Sequence, residues 1–218
     1  MTMKALREHA NDPIWHDGER SKLTFFYPLP LTPWQAGRWT LKNWKKIAEH
    51  HMVDPLRAPL RLLEGIPETE LYELGGFWCC QSPDSHISCF LHAIDFLVPD
   101  GTPVLAAQDG RIIELVDCND EWGDEKDENG EYLHRDHLNF LTVHVGGMER
   151  IQYCHLAKGS VRTLGLEIGS LIKAGQLIGK VGKNGVTDRD HLHFIVFRED
   201  VAHENPFGIK SLIPQFRR

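Results

Sequence analysis

From residue 76 onward the chain is a succession of short β-branched and aromatic runs separated by Gly, Pro, Asn and Asp. That rhythm constrains the fold more than any other feature. Strand-like runs fall at 76–80, 90–98, 104–107, 111–116, 140–145, 151–155, 171–173, 177–181 and 192–197. Closely spaced strands joined by turn residues predict a mainly β, antiparallel domain. Between residues 165 and 182 Gly recurs beside apolar pairs, which suits tight turns between short strands. A lipoyl-type carrier hairpin has a similar texture but needs a displayed, modifiable Lys in a set context, and no such motif is present.

The first 75 residues read differently. Pro and Trp are frequent, and Thr32-Pro33-Trp34-Gln35 has the composition of a helix start, with Asp54-Pro55 as its stop. Trp34, Trp39 and Trp44 fit a helical stripe packed on the following domain. The expected organisation is a partly helical N-terminal appendage over 1–75 and a β-domain over 76–218.

At 218 residues, with 41% hydrophobic and 25% charged residues, the composition is that of an ordinary globular protein. A net charge of −7 argues against a nucleic-acid surface. No apolar run reaches membrane-spanning length, and the N-terminus lacks a secretory core, so the expectation is a cytoplasmic protein or one exported by a route the sequence does not display. Five cysteines without a Cys-x-x-Cys pattern read as free thiols in a reducing compartment. Residues 117–137 hold nine acidic side chains, but no register gives the alternate ligands and sixth-position Gly of a calcium loop. This stretch reads as a solvated loop bordering a groove.

Three segments carry chemistry. In Asp190-His191-Leu192-His193 two imidazoles share one face of a strand while Leu192 and Phe194 face the other side. Asp95 lies between Ile94 and Phe96, where a carboxylate is costly unless paired or bound to a metal. His155, in Tyr153-Cys154-His155-Leu156, is a third strand-borne histidine. His144, His134 and His137 read as surface, and His50 and His51 as the end of a helix.

Together these segments resemble the lysostaphin and LytM-like zinc metallopeptidases, which cut peptide bonds in peptidoglycan. The resemblance runs from about Ser85 to Pro206. Its elements stand in family order: A-I-D-F, P-D-G-T-P-V-L-A-A-Q-D-G, the run from Asn139, Y-C-H-L, V-G-K-N-G, H-L-H-F and E-N-P. It implies a lysostaphin-type, duplicated-hybrid-motif-like sheet, with Zn2+ held by a His, Asp95 and His193. It also implies that His155 and His191 act on the attacking water and the transition state.

The first ligand departs from the common pattern, because Leu91 stands where the family usually has His. His92 lies three residues before Asp95, so on a regular strand it points to the opposite face. Relatives with the His on a longer preceding loop place His86 in the ligand position. Strand parity favours His86, with His92 as the alternative. The implied function is a zinc-dependent metalloendopeptidase cutting peptidoglycan cross-links or stem peptides, or similar Gly- or D-Ala-containing peptides. The alternative is a catalytically silent module that binds cell wall or regulates another hydrolase. Nothing in the sequence sets an oligomeric state.

Overall fold

A computed structural model of the chain describes residues 18–30, 62–75, 77–200 and 205–217. The helix expected from Thr32, the three tryptophans on it, and His50 and His51 lie outside the described residues. The strands are β1 (Arg20–Phe25), β2 (Leu71–Leu74), β3 (Phe77–Cys80), β4 (Ile94–Phe96), β5 (Pro103–Leu105), β6 (Gly110–Val116), β7 (Phe140–Gly146), β8 (Glu149–Cys154), β9 (Leu171–Ile172), β10 (Leu177–Lys180), β11 (Leu192–Glu199) and β12 (Ile209–Phe216).

Ten of them form one sheet whose main path runs β2-β3-β4-β11-β8-β7-β6-β9. All pairings on that path are antiparallel. β12 runs antiparallel to the second half of β11 and also takes β1 as a parallel partner. β5 and β10 form a separate two-stranded ribbon. The mainly antiparallel fold class expected from the turn rhythm is therefore what the chain adopts. β1 and β2 come from the segment preceding residue 76 and pair into this same sheet.

β11 is the central element, because β4 and β12 share one of its edges and β8 covers the other. Its Leu192, Phe194, Ile195 and Val196 are fully buried. The Phe194 ring meets Phe96 at 6.1 Å and Tyr153 at 5.5 Å, both in edge-on geometry, and Phe216 at 5.8 Å. Tyr153 is itself buried, and its hydroxyl accepts the Ala107 N–H at 2.8 Å, so the aromatic cluster leaves no polar cost at that ring. In register, His193 stands opposite Asp95 on β4 and opposite Cys154 on β8, while Asp95 stands opposite Cys80 on β3. Directly opposed residues project to the same face. The sheet thus lines up Cys80, Asp95, His193 and Cys154 in one row across four strands.

The run 90–98 is strand only at its centre. Ser88–Phe90 forms a 3-10 turn, and the Ala93 N–H donates to the Phe90 carbonyl at 2.9 Å, so β4 begins at Ile94. Its apolar content serves a buried turn as much as a strand, which composition alone does not separate.

Truncating Phe194 to Ala removes the shared partner of three aromatic rings. The expected loss is about 3–5 kcal/mol, measurable as a lowered midpoint in urea unfolding of the full chain.

Candidate metal centre

Asp95 is the hub. Its Oδ1 lies 2.9 Å from His193 Nδ1 and 3.2 Å from His86 Nε2, and those two nitrogens are 3.3 Å apart. A metal held tetrahedrally at zinc-like bond lengths needs donor atoms separated by about 3.3 Å, so the three atoms stand close to the spacing such an ion requires. The donor set, two imidazoles and one carboxylate, also matches the zinc class rather than calcium or magnesium. His86 and Asp95 are buried and His193 is half-buried.

Local structure explains how each donor arrives. Asp95 and His193 are delivered by their shared rung of the β4–β11 ladder. His86 comes from the loop after β3, which is turned by Ser82. Ser82 adopts a left-handed backbone with φ of 46°, costly for a residue with a Cβ. In that conformation its carbonyl accepts the His86 N–H at 2.8 Å, and its hydroxyl donates to Asp95 Oδ2 at 2.6 Å. One residue thereby fixes the approach of His86 and turns Oδ1, the other carboxylate oxygen, towards the histidines. The Nδ1 of His86 is buried and has no hydrogen-bond partner among the described residues. An orphaned buried nitrogen is costly, which marks this ring as placed for the work of its Nε2.

His92 goes elsewhere. It precedes β4, its backbone N–H and its Nδ1 both meet Ser211 Oγ on β12, at 3.3 and 3.0 Å, and its ring packs so closely beneath Gly18 that a Cβ there would overlap it. The donor group around Asp95 contains His86 and not His92. The parity argument treated His92 as a strand residue; it sits in a turn and anchors β12.

Two further histidines stand beside this group. His191 immediately precedes β11, and its Nε2 is 3.6 Å from Asp95 Oδ1. Its Nδ1 donates to the Arg189 carbonyl at 3.0 Å, with Thr187 Oγ1 nearby at 3.4 Å. His155 follows β8 in a left-handed conformation, φ 59°, and its Nδ1 donates to the Asn184 carbonyl at 2.7 Å. The His155 and His191 rings are 4.4 Å apart between centroids. Both bonds place the proton on Nδ1 and leave each Nε2 with a free lone pair.

A buried amide network holds His155 in place. Asn184 Oδ1 accepts the Asn139 N–H at 2.6 Å, Asn184 Nδ2 and Asn139 Nδ2 both donate to the Leu156 carbonyl at 2.7 and 2.9 Å, and the Gly182 N–H donates to the His155 carbonyl at 2.7 Å. Gly182 lies against the Ala157 backbone with no room for a Cβ.

The electrostatics follow from burial. Desolvation, the largest influence on Asp95, favours its neutral form, but the charges of His86 and His191 and the bonds from His193 and His86 outweigh it and hold the carboxyl well below its usual range. Burial, reinforced by His191 and His193, lowers His155 to about 3. Burial also lowers His193, against the pull of Asp95. The result is an ionised carboxylate beside His155 and His193, which burial favours in the neutral form that ligates metals.

The structure thus brings together five of the residues singled out from sequence, His86, Asp95, His155, His191 and His193, and separates His92 from them. Sequence reasoning did not find Ser82 or Asn184. Asn184 carried a weak signal as the Asn of V-G-K-N-G, whereas Ser82 carried none, since its role depends on a left-handed turn thirteen residues before Asp95.

The sequence matches Peptidase family M23 over residues 90–206. The chain belongs to that family. It is 34% identical over 103 residues to the glycyl-glycine endopeptidase ALE-1 of Staphylococcus capitis, covering 47% of this chain and 23% of that protein. It is 33% identical over 121 residues to the peptidoglycan DD-endopeptidase ShyC of Vibrio cholerae, covering 56% of this chain and 22% of that one. The match therefore spans less than a quarter of either relative's length. Among solved structures, the catalytic domain of the antimicrobial peptidase lysostaphin from Staphylococcus simulans is 25% identical, with 55% of this chain and 74% of that one covered and a TM-score of 0.37.

Replacing Asn184 by Ala leaves the buried Asn139 N–H without its acceptor. The expected cost is on the order of 1–3 kcal/mol, read from chemical denaturation of the full chain.

Proposed function

We propose that this M23 peptidase is a zinc-dependent metalloendopeptidase that hydrolyses peptide bonds in peptidoglycan cross-links or stem peptides. The observation that carries the reading is the convergence of His86 Nε2, Asp95 Oδ1 and His193 Nδ1 at 2.9 to 3.3 Å from one another, with two more imidazoles alongside. ALE-1, a glycyl-glycine endopeptidase, and ShyC, a peptidoglycan DD-endopeptidase, support peptide hydrolysis, and ShyC supports a peptidoglycan substrate.

In this reading His86, Asp95 and His193 are the residues that would hold the zinc. Three protein ligands are the number found in catalytic rather than structural zinc sites, and the ion supplies an activated water at neutral pH and polarises the scissile carbonyl. The chain's own residues do the rest. His155 and His191, each with its Nδ1 proton committed to a backbone carbonyl, present Nε2 lone pairs that accept the proton of the attacking water. A ring that has taken up that proton stabilises the developing oxyanion and returns the proton to the leaving amine. Asn184 and Arg189, through their carbonyls, keep both rings in the required tautomer.

Metal removal provides the direct test. Purified protein should contain zinc, lose hydrolysis of peptidoglycan or its stem peptides on chelation, and regain it on zinc addition, while His193→Ala should bind no zinc at this site and cut nothing. Cleavage that persists through chelation and in His193→Ala overturns the assignment. Ser82→Ala should keep the fold but weaken zinc binding by about 10–100-fold, as measured by competition with a chelator of known affinity.

A further inference from the structure

The acidic stretch read from sequence as a solvated loop has internal order. Lys126 and Tyr132 form an antiparallel bridge, the Leu133 N–H donates to the Glu125 carbonyl at 3.0 Å, and the Asp127 N–H donates to the Glu131 carbonyl at 2.9 Å. The resulting hairpin brings Glu125 back beside His134. A 3-10 turn over Arg135–His137, with the His137 N–H donating to the His134 carbonyl at 3.0 Å, then places His137 next to His134.

Several of the acidic side chains are engaged with other groups. Asp117 takes Arg162, Asp120 takes Lys158, Glu131 takes Arg135, and Asp127 accepts the Asn129 and Glu131 N–H groups. Glu121 and Glu125 instead face the two histidines. Glu121 Oε2 is 3.1 Å from His137 Nδ1, His137 Nδ1 is 3.4 Å from His134 Nδ1, and all three donor atoms lie within 4.8 Å of one another. An imidazole nitrogen has either one proton or one in-plane lone pair, so His137 Nδ1 cannot make a full bond to both neighbours. A cation between the three atoms satisfies all of them.

We infer that Glu121, His134 and His137 form a second divalent-metal site, of the zinc class. Imidazole donors exclude the oxygen-preferring calcium and magnesium as natural occupants. The surroundings of His134 fit a ligand. Its Nε2 faces Glu125 Oε2 at 3.9 Å, near enough for a small rotation of this exposed carboxylate to complete the bond that orients a metal-bound histidine. Residue 123 must be Gly for that carboxylate to fold over the ring, since a Cβ there would overlap Glu125 and crowd His134. The three donors are partly exposed, so small rotamer changes close the remaining separation on binding.

The site is tied to the catalytic groove. Glu121 and Gly123 grip Gly185 from both sides, the Gly185 N–H donating to the Glu121 carbonyl at 2.9 Å and the Gly123 N–H to the Gly185 carbonyl at 3.2 Å. Gly185 follows Asn184, the residue that orients His155. Trp122, between the two gripping residues, lies under Lys183 Nζ at 3.8 Å. Metal on Glu121, His134 and His137 therefore clamps the loop against the turn that aims His155, and its role is to order the groove wall.

The test uses the full chain, stripped with chelator and reloaded with zinc alone, with bound zinc measured by elemental analysis and loop cleavage by limited proteolysis followed by mass spectrometry. Wild type should hold about two zinc ions per chain, and both His193→Ala and the double variant His134→Ala/His137→Ala about one each. With free zinc near ten times its Kd for the loop, cleavage within 117–137 should slow about tenfold in wild type and in His193→Ala, but not in the double variant. A single zinc retained by His193→Ala and lost in the double variant also supports this site, and would count against the catalytic assignment instead. Zinc content unchanged by the double substitution, no zinc left in His193→Ala, or loop cleavage indifferent to zinc overturns the inference.

Discussion

The pairing of Asp95 with His193 across β4 and β11 is the contact on which the rest of the site depends. A carboxylate inside a sheet is stable only if its charge is answered, and here every approach to it is filled: imidazoles on Oδ1, the Ser82 hydroxyl on Oδ2. The apolar neighbours on either side, Ile94, Phe96, Leu192 and Phe194, point the other way into the aromatic cluster. One face of the same two strands therefore supplies the stability that holds the polar row on the opposite face.

How much of this could be read from residues alone depended on the physical range of each effect. Alternation and turn residues act within a few positions, so the sequence predicts most strands of the sheet and marks Asp95, His155, His191 and His193, which the fold brings together. β12 is not among the predicted strands, because Pro214 and Lys210 interrupt its apolar pattern, and β1 and β2 are short strands set apart from the main run. His86 and His92 could be ranked but not placed, since the deciding facts are the left-handed turn at Ser82 and the Ser211 partner waiting on β12. Those facts belong to tertiary structure. The acidic loop is solvated as its charge predicts, but counting charges does not show which carboxylates are engaged with Arg162, Lys158 and Arg135.

Two non-glycine residues beside the site, Ser82 and His155, hold left-handed backbones. Each conformation is expensive alone and is kept by bonds the fold supplies, to Asp95 and the His86 N–H at Ser82, and to Asn184 and Gly182 at His155. Strain of this kind gathers where side chains must be aimed rather than merely packed.

The parallel pairing of β1 with β12, and the antiparallel pairing of β2 with β3, carry a consequence for where this unit can be cut. The family match covers residues 90–206, and even a chain begun at residue 77, well ahead of it, gives up both β1 and β2. β3 would then keep β4 alone, and the vacated backbone donors and acceptors would face water or a neighbouring chain. β3 is also the strand that leads into Ser82 and His86, so the damage reaches the candidate donor that lies off the β4–β11 ladder. In mechanical terms, residues preceding the peptidase match act as an abutment, and the placing of His86 rests on strands that supply none of the clustered donor atoms.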